Sequence, residues 1–452
     1  MDLNEAQDIA YSKIIKGLNE EIIRKISEDN DEPSWMLDSR LKSFGIFKGM
    51  KMPSFGPDLS NLDLDEINYY ARASDISDSN SWDNVPEKIK DTFDKLGIPE
   101  AEKEMLAGVG AQYDSKVVYH SLKKELEDLG IIFEDMSLAL KNHPELVKRY
   151  FMKAVPSNDH KFAALHGACW SGGTFLFIPK GIRLEEPLQA YFRMNVRAGG
   201  QFEHTIIVLE EGSLAHYIEG CSAPKYSEFS MHAGCVELYV GKDAKLRYSS
   251  VENWSSNTYN LNTKRAIIQE NGHMEWVGGN LGAGVTMLYP CSVLLGNNSS
   301  SSHISIAMSS EGQMIDAGAK VIHIGENTSS EILSKTISAK GGKSIYRGYL
   351  EIKESAINSY SHIECDGLII DDGSDNDSIP LIKVGNSSST VAHEASAGKI
   401  NEEELFYLES RGISEKEAKT MIVNGFLSPV VRELPMEYAA EMNVIIGMEL
   451  EV

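Results

Sequence analysis

Five cysteines are the residues of this chain whose side chains could act as nucleophiles or bind a soft metal. They are far apart, odd in number and contain no Cys-x-x-Cys pair, which argues against a zinc ribbon and a disulfide framework. An ionised cysteine attacks persulfides or binds metals, whereas a buried neutral one behaves as a small hydrophobic residue. Both roles are open for the last, which stands in the strand-like run SYSHIECDGLII. The five are Cys169, Cys221, Cys235, Cys291 and Cys365.

The overall charge excludes some classes of partner. The 452 residues include 43 Lys and Arg against 67 Asp and Glu, a formal net charge of −24. Nucleic acids and anionic membranes attract basic surfaces, so neither is expected as a main partner. No apolar run is long enough to span a membrane, and the first residues predict an acidic amphipathic helix, not a signal peptide. With free thiols, this predicts a cytoplasmic protein.

Three stretches of the sequence resemble known ligand-binding motifs but lack features that those motifs require. KGGKS (residues 340–344) ends like a phosphate-binding loop, but Ile337 stands where the first glycine is required. GNLGAG (residues 279–284) lacks the strand and helix of a dinucleotide site, and DDGSDND (residues 371–377) lacks the glycine and glutamate positions of a calcium loop. ATP hydrolysis is therefore expected in a partner.

Residues 1–155 are predicted as a mainly helical N-terminal domain. Apolar residues from Ile9 to Ile26 recur at helical spacing, and Pro144 after His143 marks a helix start. The polar residues 74–83 predict a flexible loop.

Residues 156–398 are predicted as a β-solenoid. Strand-like runs of period two dominate from about Trp170. Polar turn centres recur at intervals of 26 to 31 residues, which favours a solenoid because sandwich turns come every 8 to 12 residues. The turn centres are Gly212, Asp243, Gly272, Asn298, Asn327 and Ser355.

Residues 399–452 are predicted as a C-terminal helical domain. Asn401 and Ser414 are each followed three residues later by Glu, the pattern of a capping box. A third helix is expected after Pro435. Such helices could cap the solenoid or present an apolar groove to a partner.

Nine motifs occur in the order found in the SufB/SufD family of the SUF iron–sulfur cluster assembly system, which the chain resembles from about Pro33 onward. The cysteine of ECDGLII and the glutamate of VAHEAS resemble the SufB branch, because SufD typically lacks that cysteine and has an HGA-type sequence. The motifs are SWMLDSRL, IPKGI, YFRMN, EGCSAP, VENW, TKR, ECDGLII, VAHEAS and RGISEKEAKTMIVNGF.

The resemblance implies a right-handed parallel β-helix flanked by helices. It implies a scaffold, not an enzyme, that receives sulfur and iron, builds a transient iron–sulfur cluster and passes it on. The implied partners are the ATPase SufC, SufD or a second copy of this chain, and a sulfur donor protein; a reduced flavin in the complex is compatible with it. The residues expected to contact SufC are Ile413, Met421, Ile422 and Phe426.

The resemblance also implies residue roles. Cys221 matches the sulfur-accepting cysteine and Cys365 the cluster-assembly thiol, with His393 and Glu394 as accompanying metal ligands. Neighbouring residues of a strand face opposite ways, so only one of the two should face the thiol, and the interval of about one repeat favours Glu394. The implied sulfur path comprises Arg193, Asn195, Glu252, Trp254 and Lys264.

Some features depart from the family pattern. The family usually has Gln at position 252, and the Cys-Gly-Ala-His sequence and N-terminal cysteine cluster of some members are absent here. Core packing is the expected role of Cys169, Cys235 and Cys291. Two other functions stay open: a SufD-like structural subunit, and a polysaccharide lyase or hydrolase built on a β-helix.

Overall fold

The computed structural model describes residues 10–73 and 106–433. Its centre is a parallel β-solenoid of about eight turns, with helices towards both ends of the chain. This confirms the predicted mainly β fold, a parallel β-helix with flanking helices. The predicted loop at residues 74–83 and the predicted helix after Pro435 lie outside the described residues. No helix of the described part is long and apolar enough to cross a membrane.

The strands are β1 Tyr11–Lys16, β2 Asn68–Ala73, β3 Gly108–Tyr113, β4 Lys116–Leu122, β5 Ile132–Asp135, β6 Thr174–Ile178, β7 Leu188–Arg193, β8 Gly200–Gln201, β9 His204–Leu209, β10 Leu214–Ser222, β11 Ser230–His232, β12 Cys235–Val240, β13 Lys245–Asn253, β14 Thr258–Asn260, β15 Thr263–Ile268, β16 His273–Leu281, β17 Val285–Leu288, β18 Cys291–Leu294, β19 Ser300–Ser309, β20 Met314–Ala317, β21 Lys320–His323, β22 Ser329–Ser338, β23 Lys343–Ile352, β24 Tyr360–Ile369, β25 Asp375–Val384 and β26 Thr390–Lys399. The helices are α1 Glu20–Asp29, α2 Ser34–Gly49, α3 Lys124–Glu127, α4 Met136–Asn142, α5 Pro144–Tyr150, α6 Lys161–Cys169, α7 Glu402–Ser410 and α8 Glu415–Val431.

One wall of the solenoid is a ten-stranded sheet in the order β26-β24-β22-β19-β16-β13-β10-β7-β3-β4. From β3 to β26 its neighbouring strands are parallel, and only the β3–β4 hairpin is antiparallel. The other walls form a second sheet. In this sheet the short strands β20 and β21 both pair with the long strand β23. Each coil therefore adds one strand to each wall, at a spacing of 27 to 31 residues between hydrogen-bonded side chains.

The coils turn at left-handed backbone positions that precede strands of the ten-stranded sheet. Gly, Asn and Asp tolerate this conformation best, which explains why the turn signal recurs in the sequence. Four predicted turn centres coincide with such positions; the predictions at Gly272 and Ser355 fall one and three residues from theirs. The left-handed residues are Gly212, Asp243, Asn271, Asn298, Asn327 and Asn358.

Two apolar layers hold the solenoid in place. The interior packs Tyr217, Tyr248 and Trp276 in consecutive coils. The outer face of the ten-stranded sheet is covered by α8, through Val423 and Leu427 among others. This sheet therefore buries apolar side chains on both of its faces.

The N-terminal region is less helical than predicted. Residues Tyr11–Lys16 form strand β1, paired antiparallel with β2, and not part of a helix. Three further strands, β3 to β5, precede residue 156, and they extend the walls of the solenoid. Pairing partners distant in the sequence decide this, and helical periodicity does not reveal them. The predicted helix start at Pro144 is confirmed.

The C-terminal helices α7 and α8 begin near the predicted positions. Ser414 and Glu417 form the predicted reciprocal capping box. Asn401 also caps α7, but its side chain accepts from the amide of Glu403, and no reciprocal bond from Glu404 accompanies it in the described structure.

Candidate functional site

Cys221 and Cys365 lie on the same interior face of the ten-stranded sheet, both nearly inaccessible to solvent. Cys221 is on β10 and Cys365 on β24, five strands further along the sheet. At the usual strand spacing this separates them by roughly 24 Å. Neither thiol can reach the other directly.

Two columns of stacked interior positions run between the cysteines. The first contains Cys221 and continues through Glu252, Asn280, Ala307 and Thr336. The second ends at Cys365 and contains Glu219, Ser250, Gly278, Ser305 and Ser334. Most of these side chains are small or polar, whereas neighbouring interior columns are aromatic or aliphatic.

An interior cavity of about 40 Å³ follows these columns. It is larger than the space that one water molecule needs. Its walls extend from Lys264 and Ser250 at one end to Ser334 and Thr336 at the other. Because Ser334 pairs directly with Cys365, the cavity ends one strand from that thiol.

Buried charges surround the Cys221 end. The Lys264 ammonium nitrogen lies 2.7 Å from a carboxylate oxygen of Glu252 and 3.7 Å from one of Glu219. Burial alone lowers the pKa of Lys264, but the two carboxylates more than reverse this, so it is held above its ordinary value. Burial raises the pKa of Cys221 far above normal, and nearby carboxylates, Glu219 foremost, raise it further.

Trp254 and His232 complete this end of the site. Their rings lie 4.5 Å apart, centroid to centroid. His232 pairs with the carboxylate of Glu203 through Nε2 and with Asn260 through Nδ1. Burial lowers the pKa of His232, but Glu203 outweighs burial and raises it overall. Of the predicted path residues, Glu252, Trp254 and Lys264 are therefore gathered in the interior with Cys221.

Arg193 and Asn195 are not on that interior face. In β7 the residue that pairs with Cys221 is Phe192, so Arg193 points to the other side of the sheet. There its guanidinium donates to Ser222 Oγ at 2.9 Å, and the backbone amide of Asn195 donates to Asp114 at 2.6 Å. Arg193 therefore does not share the interior face of Cys221, and Asn195 follows the end of β7; their place in a sulfur path stays a prediction.

Asp114 gives this outer cluster a distinct pH response. Burial raises the pKa of its carboxyl to about 6, even though the amides of Asn195 and Val196 donate to it. The folded protein therefore takes up this proton at a higher pH than the unfolded chain, so stability should rise as pH falls from 7 to 5. We expect a contribution of about 1 kcal/mol.

Denaturant unfolding of wild type and Asp114→Asn at pH 5, 6 and 7 measures this contribution. The free energy of unfolding of the wild type should rise relative to that of the variant as the pH is lowered. A difference that is constant with pH would contradict a titrating Asp114.

Cys365 lies in an apolar interior setting, beside Ile363 and Tyr346. Burial raises the pKa of its thiol to about 12, and the nearby Asp366 and Glu364 also raise it. The thiol is thus protonated at neutral pH.

The register of β26 corrects the choice between His393 and Glu394. Cys365 pairs with Ala395, and Glu394 pairs with Glu364 on the outer face, where it lies 3.8 Å from His362. His393 shares the interior face with Cys365, and its Nε2 is buried without a hydrogen-bond partner among the described residues. The coil repeat at this point is 30 residues, one more than the interval from Cys365 to Glu394. Because side chains alternate along a strand, this difference of one residue places Glu394 on the face opposite to Cys365.

Several buried polar residues were not predicted. Glu219, Glu203, His232 and Asn260 contribute to the interior cluster, although they do not stand out in the sequence. Glu219 alone carried a usable signal, because it precedes Cys221 by two residues and so faces the same way.

The surface of α7 and α8 differs from the predicted partner-binding set. Met421 is exposed, but Ile413 and Ile422 are only half-exposed, and Phe426 packs against the outer layer under Lys335. Two aromatic residues of α7, Phe406 and Tyr407, are also exposed. Contacts between α8 and the solenoid determine which residues of this helix stay exposed, and the sequence alone does not reveal these contacts.

The fold and this site define a class of protein, a β-solenoid that buries two thiols and two columns of small and polar side chains in its interior. Residues 192–426 match the family model "SUF system FeS cluster assembly, SufBD core domain", and residues 84–190 match "SufBD protein N-terminal region". The chain belongs to the SufBD family of iron–sulfur cluster assembly proteins.

Curated relatives agree with this assignment. Proteins of Staphylococcus aureus strain MRSA252 and of Staphylococcus epidermidis strain ATCC 12228, both named iron–sulfur cluster assembly SufBD family protein, are each 54% identical to this chain. The matches cover 98% of this chain and 95% and 96% of the two relatives.

Proposed function

We propose that this protein is the SufB-type scaffold on which an iron–sulfur cluster is assembled, and that sulfur travels inside the solenoid from Cys221 to Cys365. The observation that carries the proposal is the pair of small and polar columns, with their cavity, between the two thiols. The family membership limits the chemistry to cluster assembly, which leaves the polysaccharide enzyme without support.

The sulfur chemistry would begin at Cys221. Its thiolate attacks the outer sulfur of a donor persulfide, forming a persulfide on Cys221 and releasing the donor as a thiolate. Lys264 would stabilise the charge that develops at this step. Releasing the sulfur as hydrosulfide requires two electrons, and a reduced flavin is one class of reductant that could supply them.

Hydrosulfide is an anion small enough for the interior cavity. Along the route, the ammonium of Lys264 and the hydroxyls of Ser250, Ser305 and Ser334 offer hydrogen-bond donors; Lys264 already donates to Ser250 at 3.1 Å and Ser305 to Ser334 at 3.1 Å. These donors replace the water that a buried anion loses. At the end of the route, Cys365 would bind iron as a thiolate, with His393 as the better-placed second ligand.

Two surfaces suit the partners expected of such a scaffold. The last coil exposes apolar side chains of β25, including Ile379, Leu381 and Val384, and β26 has only one strand neighbour in the described sheet. We assign this end to SufD or to a second copy of the chain. We assign Phe406, Tyr407 and Met421 on α7 and α8 to contact with the ATPase SufC, in a cytoplasmic complex.

The test of the proposal is to obstruct the route without removing either thiol. Ser334→Val adds bulk at the cavity wall beside Cys365. Ser330→Val is the matched control, since Ser330 is a buried serine of the same strand and face, with its own ladder hydrogen bond to Ser361, outside the cavity wall.

Each variant, in complex with its partners, receives isotopically labelled persulfide, ferrous iron and reductant under anaerobic conditions. We expect Ser334→Val to load Cys221 normally but to reduce labelled acid-labile sulfide bound with iron by about tenfold. Ser330→Val should behave as wild type. Equal labelling in all three proteins would exclude the interior route, and a cluster that is also independent of Cys365 would favour the SufD-like subunit.

A further inference from the structure

A second group of metal-ligating side chains lies outside the cysteine route, where α6 packs on the second sheet. His166 of α6, His204 of β9 and Cys235 of β12 each offer one ligand atom, and these atoms lie within 4.8 Å of one another. His204 and Cys235 are direct partners in neighbouring strands. All three are fully buried.

The hydrogen bonds around the two histidines fix their outer nitrogens as donors. His166 Nδ1 lies 2.9 Å from the carbonyl oxygen of Ala233, which can only accept. His204 Nε2 lies 3.0 Å from Glu237. Both oxygens of Glu237 accept backbone amides, from Met152 at 2.6 Å and Val155 at 2.8 Å, so Glu237 serves as an acceptor here.

The inner nitrogens therefore face each other with their lone pairs. His166 Nε2 and His204 Nδ1 are 2.8 Å apart. In neutral rings with both outer nitrogens protonated, neither inner nitrogen carries a hydrogen. Two lone pairs at this distance repel each other, so the arrangement requires a cation between the rings, either a proton or a metal ion.

The surroundings match those of a metal site. A histidine that binds a metal commonly donates its other N–H to a carboxylate or a backbone carbonyl, as both do here. A divalent ion with two neutral imidazoles, the Cys235 thiolate and the Glu237 carboxylate gives a site of zero net charge, which burial demands. Imidazole with thiolate suits zinc and related ions.

We propose that His166 Nε2, His204 Nδ1 and Cys235 Sγ form a buried binding site for a zinc-type divalent metal ion. The ring nitrogens would separate to about 3.3 Å, the spacing of tetrahedral ligands around zinc. Binding releases the Cys235 thiol proton and any proton shared by the rings. Since no ligand is exposed, the ion enters as α6 docks on the sheet and thereafter holds the helix there.

The experiment uses the full chain with Cys365→Ala, so that cluster iron does not interfere. Protein purified without chelators is analysed for metal content, then unfolded with a chelator and refolded with Co²⁺ as the probe. We expect about one metal ion per chain, and a cobalt spectrum with tetrahedral bands and a sulfur-to-cobalt charge-transfer band.

Cys235→Ala should lose the charge-transfer band, whereas Cys169→Ala, a buried cysteine of α6 outside the proposed ligand set, should keep it. X-ray absorption of the zinc-loaded parent protein should show nitrogen at about 2.0 Å and sulfur at about 2.3 Å, a readout that does not depend on variants folding. The proposal would be overturned if the purified protein contained no metal and also took up no Co²⁺ on refolding. A proton shared between the two rings would then explain their short contact.

Discussion

Replacing Cys365 with alanine is expected to abolish cluster assembly on this protein. In anaerobic reconstitution with iron and sulfide, the visible absorption and Mössbauer signal should fall to about a tenth of the wild-type level or less, because the variant lacks the thiolate that we propose as the strongest iron ligand. The Cys365 side chain is small and its removal leaves only a methyl-sized gap, so the fold should persist.

Cys291→Ala is the control for this prediction. Cys291 is also buried in a solenoid strand, but it lies on β18 of the second sheet, and its loss should leave the cluster signal unchanged. If Cys365→Ala retains a full signal, the cluster is bound elsewhere and the proposed assembly role of Cys365 is wrong.

Replacing Lys264 with methionine is expected to destabilise the folded protein strongly. Lys264 is the partner of both Glu252 and Glu219, and all three are buried. Removing one partner of a buried ion pair leaves uncompensated charge, at a cost of about 3–5 kcal/mol. Denaturant unfolding at pH 7 measures this, and stability should partly recover at low pH as the carboxylates become protonated.

Glu252→Gln is the matched comparison, and it introduces the residue that the family usually has at this position. Lys264 keeps Glu219 at 3.7 Å as a partner, and the glutamine oxygen can still accept from the ammonium, whereas the hydrogen bond that Asn260 now donates to the second oxygen of Glu252 at 2.5 Å is lost. We expect a loss of at most about 1 kcal/mol and normal sulfur transfer. Equal losses of folding stability in Lys264→Met and Glu252→Gln would show that the buried group of charged residues does not depend on the ammonium of Lys264.

Lys264 also carries the strongest link between stability and the proposed function. A cation at this position would be unnecessary in an apolar core, where burying it is costly. Beside a thiol that must become an anion, and at the start of a cavity that would hold anionic sulfur, the same charge stabilises the reacting species. A Lys264→Met protein that folds should therefore load Cys221 more slowly.

Much of the architecture could be predicted because a solenoid repeats local chemistry. Each corner needs a residue that tolerates a left-handed backbone, so Gly, Asn and Asp recur at Gly212, Asp243 and Asn298. Each strand must bury its side chains on the next coil, so apolar runs follow. The N-terminal strands β1 to β3 escaped prediction because they pair with strands far away in the sequence, and β1 itself has an apolar pattern that also fits a helix.

The candidate site was only partly predictable. The sequence identifies Cys221, Lys264 and Cys365 as candidates through motifs, but motifs do not give a side chain's direction. Arg193 was expected in the sulfur path and lies on the face of β7 opposite to that of Cys221, and Asn195, expected with it, follows the end of that strand. His393 and Glu394 exchange places for the same reason, since an error of one residue in the repeat reverses the face.

The sequence by itself thus determined the solenoid, its approximate repeat and the identity of the thiols, because these depend on local backbone preference and residue type. Only the tertiary structure decided which residues share an interior. It placed Glu219, Ser250, Gly278, Ser305, Ser334 and Cys365 in one column across six coils. Coil lengths that vary from 27 to 31 residues set that register, and side-chain alternation with period two makes every single-residue difference decisive.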